Sequence, residues 1–586
     1  MRFGIAVAAL LIALAAVQLI SATGENATFD ESAYISAGYS YLKTGDFRMN
    51  AEHPPLAKIL QALPLLWLKP PFPQNDASWA RADLGEFAMA FLYGKQAPAD
   101  SLLLAARCVT IALTLLLGLG VALFTRAHFG APAALLALFL VATDPNLIAH
   151  GRYATNDLPV TVFFFFAVIA WGQYLAGMRR RDLVVSAMAL GLALATKSSA
   201  AILLPVFTAL YLFRAWQEEG AEGKTRLSVE RFFASAIIVA FICVMIILAA
   251  YGFETRLCGP ELEKAPAIPC TLAAAADART DSGHFLTVLA KAFHLPDHPY
   301  LVGFFLQYMH NAKGHASYLL GQQSLNGWLH YYPVVFLVKT PTAVLLLTVL
   351  ALAGGIAAVV RRRLARLREM PFAWMVLLAP IAVYGSIAVS SHIDLGVRFL
   401  LPVYPFLAVL VASAAIHVYR SWLGRAFPYV LGALVTVQAA ECAAAYPHFT
   451  AFFNAASGGA DSGPAYLVDS NLDWGQDLKR LKRYLDRNGM ERVCLAYFGT
   501  APPDYYGLQS VPLPFTADAA GRGQLDCVAA ISVTLLQDVY LTQGSYSWLR
   551  PLTPAAKIGH SIYVYDLRKG VSGTGTAAGS RRGQFQ

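Results

Sequence analysis

Residues 3–22, FGIAVAALLIALAAVQLISA, are followed closely by residues 29–58, FDESAYISAGYSYLKTGDFRMNAEHPPLAK. The first run is apolar for long enough to cross a hydrocarbon core about 30 Å thick at about 1.5 Å per residue. ISATG offers small residues near a possible signal-peptide cleavage point. The run is nevertheless longer than a usual signal core, which favours a retained helix. Asp30 and Glu31 follow directly on the outer side. The chain has 586 residues, of which 57% are hydrophobic and 14% charged. Soluble domains run at about 45–50% apolar and about 25% charged. Further membrane-length runs lie at 101–124, 131–149, 156–177, 183–196, 199–214, 231–251, 333–359, 372–390, 399–417 and 427–446. The expectation is an α-helical polytopic membrane protein of about eleven transmembrane helices.

Basic residues set the orientation. Arg126, Arg179-Arg180-Arg181, Arg214 with Lys224, Arg226 and Arg231, then Arg361–Arg363 with Arg366 and Arg368, and finally Arg420 and Arg425 fall in alternate short loops. The intervening turns hold few. Positive loops stay in the cytoplasm, which predicts a cytoplasmic N-terminus and residues 447–586 outside. The net charge of +9 is spread this way, with no zinc-finger spacing or RNA-binding motif, so nucleic acid is not an expected partner. The expected organisation is a membrane domain over 1–446 with outer loops 23–100 and 252–332, an α/β domain over 447–569, and a disordered tail over 570–586. In the α/β part, AYLVDS, VCLAYFG, CVAAISV and SIYVYDL read as strands and QDLKRLKRYLDRNG as a helix. Cys258 and Cys270 share one outer loop, and Cys494 and Cys527 share the C-terminal region. Disulfides are possible at both, although spacing proves neither.

Polar residues beside the spans gather on the outer side. They are Asp30 and Glu31, Arg107 inside the second span, Arg152 and Asp157 in GRYATND, Lys197 in ATKSS, and His392, Asp394 and Arg398 in SHIDLGVRFLLP. Glu52 and His53 lie in the first outer loop. Charge at a membrane edge is unfavourable unless it faces protein or water, and is functional by default. The bland reading, that each caps or anchors a helix, is harder to apply to so many residues of both signs on one face. A carboxylate there can take a proton from an acceptor hydroxyl, while Arg and Lys hold a lipid-borne phosphate.

The DE pair in its context, Arg107, RYATND and HIDLGVRFLLPVYPF together resemble the protein O-mannosyltransferase-like branch of the GT-C glycosyltransferases, to which the bacterial lipid A aminoarabinose transferases are related. The resemblance covers about residues 1–446. It implies a GT-C fold in a bacterial inner membrane and inverting transfer from a polyprenyl-phosphate sugar at the periplasmic face, with Asp30 as base and Glu31 positioning the acceptor. It implies that Arg107 holds the carboxylates or donor phosphate; Lys197 and Arg398, by their place among the outer charges, are further candidates for phosphate contact. Asp157, Arg152, His392, Glu52 and His53 are secondary candidates. No cysteine- and repeat-rich sugar-binding insert of the eukaryotic type is present, which counts against a protein acceptor, and the sequence does not choose among a lipid, a glycan and a protein.

Three rival readings were weighed against this. Asp30, Glu31, His53 and Asp157 are metal-ligand types, but no tight spacing joins them, and the resemblance implies no cofactor or metal. DSNLDWGQD mimics an EF-hand through Asp469, Asn471 and Asp473, yet Trp474 stands at the glycine position and Arg480 at the glutamate position. A strand–turn–helix is the simpler reading there. A transporter or flippase for a lipid-linked sugar is the alternative function. Such proteins show repeated halves and midplane polar groups, whereas here no repeat is visible and the charges sit at one face. His310 and His315 in the second outer loop rank below the acidic and basic set.

Overall fold

The computed structural model describes residues 1–94, 98–222, 227–258, 269–277, 279–361, 368, 370–515 and 527–568. The tail 570–586 and the basic residues Lys224, Arg226, Arg362, Arg363 and Arg366 lie outside the described residues. Among the described residues, eight helices are long and apolar enough to cross a membrane, or nine with the bent pair Tyr331–Lys339 and Thr342–Ala353, which turns by 117°. The chain is a multi-pass membrane protein with a small sheet at its C-terminal end.

The difference from eleven lies in two places. Helix Ala99–Ala142 has 44 residues and is interrupted at Gly130, whose φ is 84°. A straight helix of that length would be about 66 Å long, roughly twice a bilayer core. A Cβ on Gly118 would stand 3.2 Å from the Leu138 side chain. Residues twenty apart meet only if the chain reverses, so this element is two antiparallel passes, and Gly130 supplies the left-handed turn without a side-chain clash. The other place is Arg180–Thr196, with 17 residues, which falls just short of a full span. It packs on Asp157–Gly177 and Val229–Ala250. Asp157–Gly177 is the most enclosed span, apolar all round as a central helix must be.

The long loop after the first span folds onto the bundle. Helix α1 (Arg2–Thr23) leads to α2 (Phe29–Thr44), which begins with a Thr28–Glu31 capping box and ends at Gly45 in the left-handed conformation. Helix α3 (Leu56–Ala62) packs across α2. The buried Lys58 Nζ donates to Asn50 O at 2.9 Å and Asn50 Oδ1 at 3.0 Å, and also to His53 O, which fixes the intervening loop.

In the second outer loop β1 (Ser317–Leu319) and β2 (Gln322–Ser324) form a hairpin. The C-terminal sheet has strand order β4-β3-β5-β7-β6, with β3 (Arg492–Ala496), β4 (Gln509–Pro512), β5 (Val528–Ser532), β6 (Ala556–Ile558) and β7 (Ile562–Tyr565). β3 runs parallel to β4 and β5, whereas β7 is antiparallel to both β5 and β6. Side chains alternate across it. Val493, Leu495, Val528 and Ala530 meet Leu478, Leu481 and Leu485 of helix Leu478–Arg487. Cys494, Ala496, Ala529 and Ile531 meet Leu536 and Leu549 on the other face. Cys258–Cys270 and Cys494–Cys527 are both disulfide-bonded.

Candidate active site

A cavity of about 600 Å³ opens where α2, the first and second outer loops and the C-terminal region meet at the ends of the spans. Asp30, Ala33 and Tyr34 of α2 line it. Glu31 does not, because adjacent helical residues point about 100° apart while those three or four apart share a face.

The DE pair is thereby split. Asp30 Oδ2 accepts a 2.7 Å bond from Arg398 Nη1, and no donor reaches Oδ1 among the described residues. Its side chain keeps 23% of its surface exposed. Burial pushes the Asp30 carboxyl above its ordinary value, and Arg398 pulls it part of the way back. Glu31 is fully enclosed. It accepts from Arg107 Nε at 2.8 Å and Nη2 at 2.7 Å, from Thr28 N at 2.9 Å and from Ala154 N at 2.9 Å. Burial alone would raise this carboxyl, but Arg107 and the backbone donors hold it below its ordinary value.

Asp157 organises the cations. Its Oδ1 accepts from Lys197 Nζ at 2.5 Å, and its Oδ2 lies 3.9 Å from Arg398 Nη1. Lys197 sits in the break after helix Arg180–Thr196, and Arg398 in the turn after Gly396. Gly396 has a φ of 86°, and a Cβ there would clash with the Asn471 side chain. Val397 N donates to Asn471 Oδ1 at 3.0 Å, and Ser470 donates to Leu395 O at 2.9 Å. The turn is therefore docked on the C-terminal segment, with the Arg398 guanidinium 4.8 Å from the Trp474 ring.

Several polar atoms at the cavity are buried with no hydrogen-bond partner among the described residues: Asp157 Oδ2, Asn156 Nδ2, Arg398 Nε and His53 Nδ1. Buried polar atoms are almost always paired, so a group of them in one cavity marks a place for a polar ligand or water. Two are donors, one is an acceptor and one can be either. Burial lowers His53 to about 4, so it is neutral at physiological pH.

Asp30, Asp157, Lys197, Arg398, Glu52 and His53 thus come together, and four other sequence candidates do not. Arg107 was expected to hold the carboxylates or the donor phosphate; it holds the Glu31 carboxylate, and Ala22 O and Asn26 O take its remaining donors, so none is left for phosphate. Arg152 is enclosed with Ser21 and Glu25 at 2.7 Å each. Glu31 is a buried acceptor with no open face. His392 is exposed, away from the cavity lining. The first three are charges satisfied inside the protein, a fate that sequence position alone does not distinguish from a site. Tyr34, Asn156, Phe498 and Tyr540 line the cavity and were not among the sequence candidates, whereas Asp469 and Trp474 of the DSNLDWGQD segment and the lower-ranked His310 and His315 line it too. Asp469 and Trp474 belong to DSNLDWGQD, whose polar density was a signal. Phe498 and Tyr540 carry none.

Among the described residues, no three His, Cys, Asp or Glu side chains are grouped to hold a metal ion.

The family of dolichyl-phosphate-mannose-protein mannosyltransferases matches residues 7–256. The matched stretch includes most of α1, the Asp30–Glu31 pair, Asp157 and Lys197. No curated protein matches the chain. Among solved structures, ArnT from Cupriavidus metallidurans bound to undecaprenyl phosphate is 14% identical, with a TM-score of 0.43 over 97% of this chain and 99% of that one. The oligosaccharyltransferase AglB from Archaeoglobus fulgidus, in complex with an inhibitory peptide and a dolichol-phosphate, is 13% identical, with a TM-score of 0.44 over 92% and 72%. The S. cerevisiae protein O-mannosyltransferase complex bound to the sugar donor is 21% identical, with a TM-score of 0.31 over 43% and 32%.

Proposed function

We propose that the chain is an inverting glycosyltransferase that moves a sugar from a polyprenyl-phosphate donor to an acceptor hydroxyl, with Asp30 as general base. The observation that carries this reading is an open carboxylate beside two cations in one cavity at the membrane edge. As the acceptor oxygen attacks the anomeric carbon, Asp30 Oδ1 takes its proton. The bond from that carbon to the phosphate oxygen breaks, and its electron pair stays on the phosphate. Attack from the face opposite the phosphate inverts the centre. Arg398 and Lys197 offset the charge that develops on the leaving group, so no separate acid is required. Arg398 also holds Asp30 through Oδ2, which aims Oδ1. Asp157 spaces the two cations.

The site is on the outer, periplasmic side of a bacterial inner membrane in this reading. Both disulfide-bonded regions adjoin the cavity, and disulfides belong to oxidising compartments. Arg179–Arg181 follow the opposite end of the helix that begins at Asp157, in keeping with a cytoplasmic position there. The polyprenyl chain lies in the bilayer between helices, and the acceptor enters from outside.

The test is transfer by purified full-length protein in detergent from radiolabelled polyprenyl-phosphate sugars, beginning with the mannosyl donor suggested by the matched family. Transfer is expected in the parent and is expected to be insensitive to chelators. A parent inert with every such donor would overturn the donor class, and loss of transfer on chelation would overturn the metal-free scheme.

A further inference from the structure

A continuous chain of hydrogen bonds crosses the cavity wall and joins three parts of the sequence. Glu52 Oε1 meets His310 Nδ1 at 2.8 Å, and His310 Nε2 meets His315 Nδ1 at 3.1 Å. His315 Nε2 meets the Tyr540 hydroxyl at 3.0 Å, which donates to Asp469 Oδ2 at 2.5 Å. Each of the five residues lines the cavity. Glu52 comes from the first outer loop, the histidines from the second, and Asp469 and Tyr540 from the C-terminal region. Asp469 and Tyr540 both hold left-handed backbone, with φ of 59° and 68°. Neither is glycine, so the surrounding contacts must impose that conformation.

The chain fixes its own proton count. Four links need four bridging protons. With Glu52 and Asp469 ionised, two neutral imidazoles and one phenol supply only three. A fourth must be added, and a fifth would set N–H against N–H between the histidines. One arrangement that completes all four links puts both ring protons on His310, leaving His315 neutral with its proton on Nε2. Moving one proton along the His310–His315 link transfers the positive charge to His315 and breaks no bond.

We propose that Glu52, His310, His315, Tyr540 and Asp469 form a strut that is complete only with one added proton and that positions the C-terminal wall of the cavity for transfer. These are positioning residues, and their role in transfer rests on the function proposed above. The groups facing the histidines agree with this count. The bond to Glu52 raises His310, against burial. Burial lowers His315, against Asp469, with His310 and Arg398 lowering it further and Glu52 opposing. His53 faces Glu52 and is itself neutral. The strut is therefore whole between the lowered value of His315 and the raised value of His310. Below that window a second imidazolium breaks it, and above it the bridging proton is lost. The Glu52 and His310 side chains keep 39% and 35% of their surface exposed, so solvent protons reach the chain.

The test is nitrogen NMR of histidine-labelled full-length protein in detergent, with His310 and His315 assigned by H310Q and H315Q. The parent at pH 7 is expected to hold one shared imidazolium across this pair, which Glu52→Gln displaces toward neutral. Two neutral rings at pH 7, or two rings that titrate independently near 6.5 and ignore Glu52→Gln, would overturn the strut. Transfer is the second readout. Tyr540→Phe keeps the ring stacked on Phe498 and removes two of the four links, those to His315 and to Asp469. It is expected to lower transfer roughly 25-fold at pH 7, the worth of about two hydrogen bonds at about fivefold each, and to flatten the histidine limbs of the pH profile. An unchanged profile would overturn the positioning role even if NMR finds the shared proton. An inert parent would overturn the proposed function while leaving the NMR result standing.

Discussion

Adjacent carboxylates, Asp30 and Glu31, carry opposite physical duties. Glu31 neutralises Arg107 inside the protein, and removing one partner of such a pair strands a buried charge. Glu31→Leu is expected to destabilise the protein by about 3–5 kcal/mol, read as a fall in thermal unfolding temperature in detergent, whereas Asp30→Asn stays near the parent. Since the folded Glu31 value lies below its ordinary 4.5, the contribution of this pair is present above the unfolded value and is lost as pH falls through the folded one. Asp30 answers to Arg398. A base must be ionised, so transfer falls as pH drops through the Asp30 value, which burial sets above the ordinary 3.8. Arg398→Gln removes the opposing cation, and the acidic limb of the pH–rate profile is expected to move to higher pH. A limb that stays in place would separate it from Asp30. Sequence position flagged Asp30, Arg107 and Arg152 by one rule, charge beside an apolar run. That rule cannot tell a charge facing a cavity from one paired across 76 residues, as Arg107 is with Glu31.

At the scale of elements, the spans were legible because an 18-to-20-residue apolar run has few alternatives in a chain this hydrophobic. The turn within Ala99–Ala142 was legible as well, since the basic and glycine residues around Arg126 and Gly130 interrupt the run. What could not be read was the docking of the Arg398 turn on residues 469–474, because it depends on contacts between segments about seventy residues apart. Gly396→Ala tests that docking. Its φ of 86° disfavours a side chain, and its Cβ would meet Asn471. Strain and overpacking together are expected to remove about 1–3 kcal/mol of stability, seen in the unfolding temperature, and to weaken transfer by displacing Arg398. A variant equal to the parent in both would contradict the docked turn.

Across the whole molecule, residues after 446 are woven into the membrane part. Asn454 Nδ2 donates to Leu337 O at 2.6 Å and Thr340 O at 2.8 Å, and Lys339 Nζ donates to Asn471 O at 2.7 Å. Phe29 N in turn donates to Trp474 O at 2.9 Å. Truncation after residue 446 is therefore expected to abolish transfer and to give an aggregated species on size exclusion, and a monodisperse, active fragment would refute the interleaving. Three of the C-terminal strands, in VCLAYFG, CVAAISV and SIYVYDL, could be read from sequence, but AYLVDS folds as short helical turns, Gly463–Tyr466 and Asp469–Asn471, rather than a strand. The share of this region in the cavity could not be read, since Phe498 and Tyr540 are ordinary aromatics in sequence. Asp30 as the base is the step on which the proposed transfer depends. The most direct measurement is kcat and donor KM for the parent and Asp30→Asn on a polyprenyl-phosphate sugar. A kcat lower by about 100-fold or more with KM little changed is the predicted result, in line with loss of a general base. A kcat within a few-fold of the parent would contradict it.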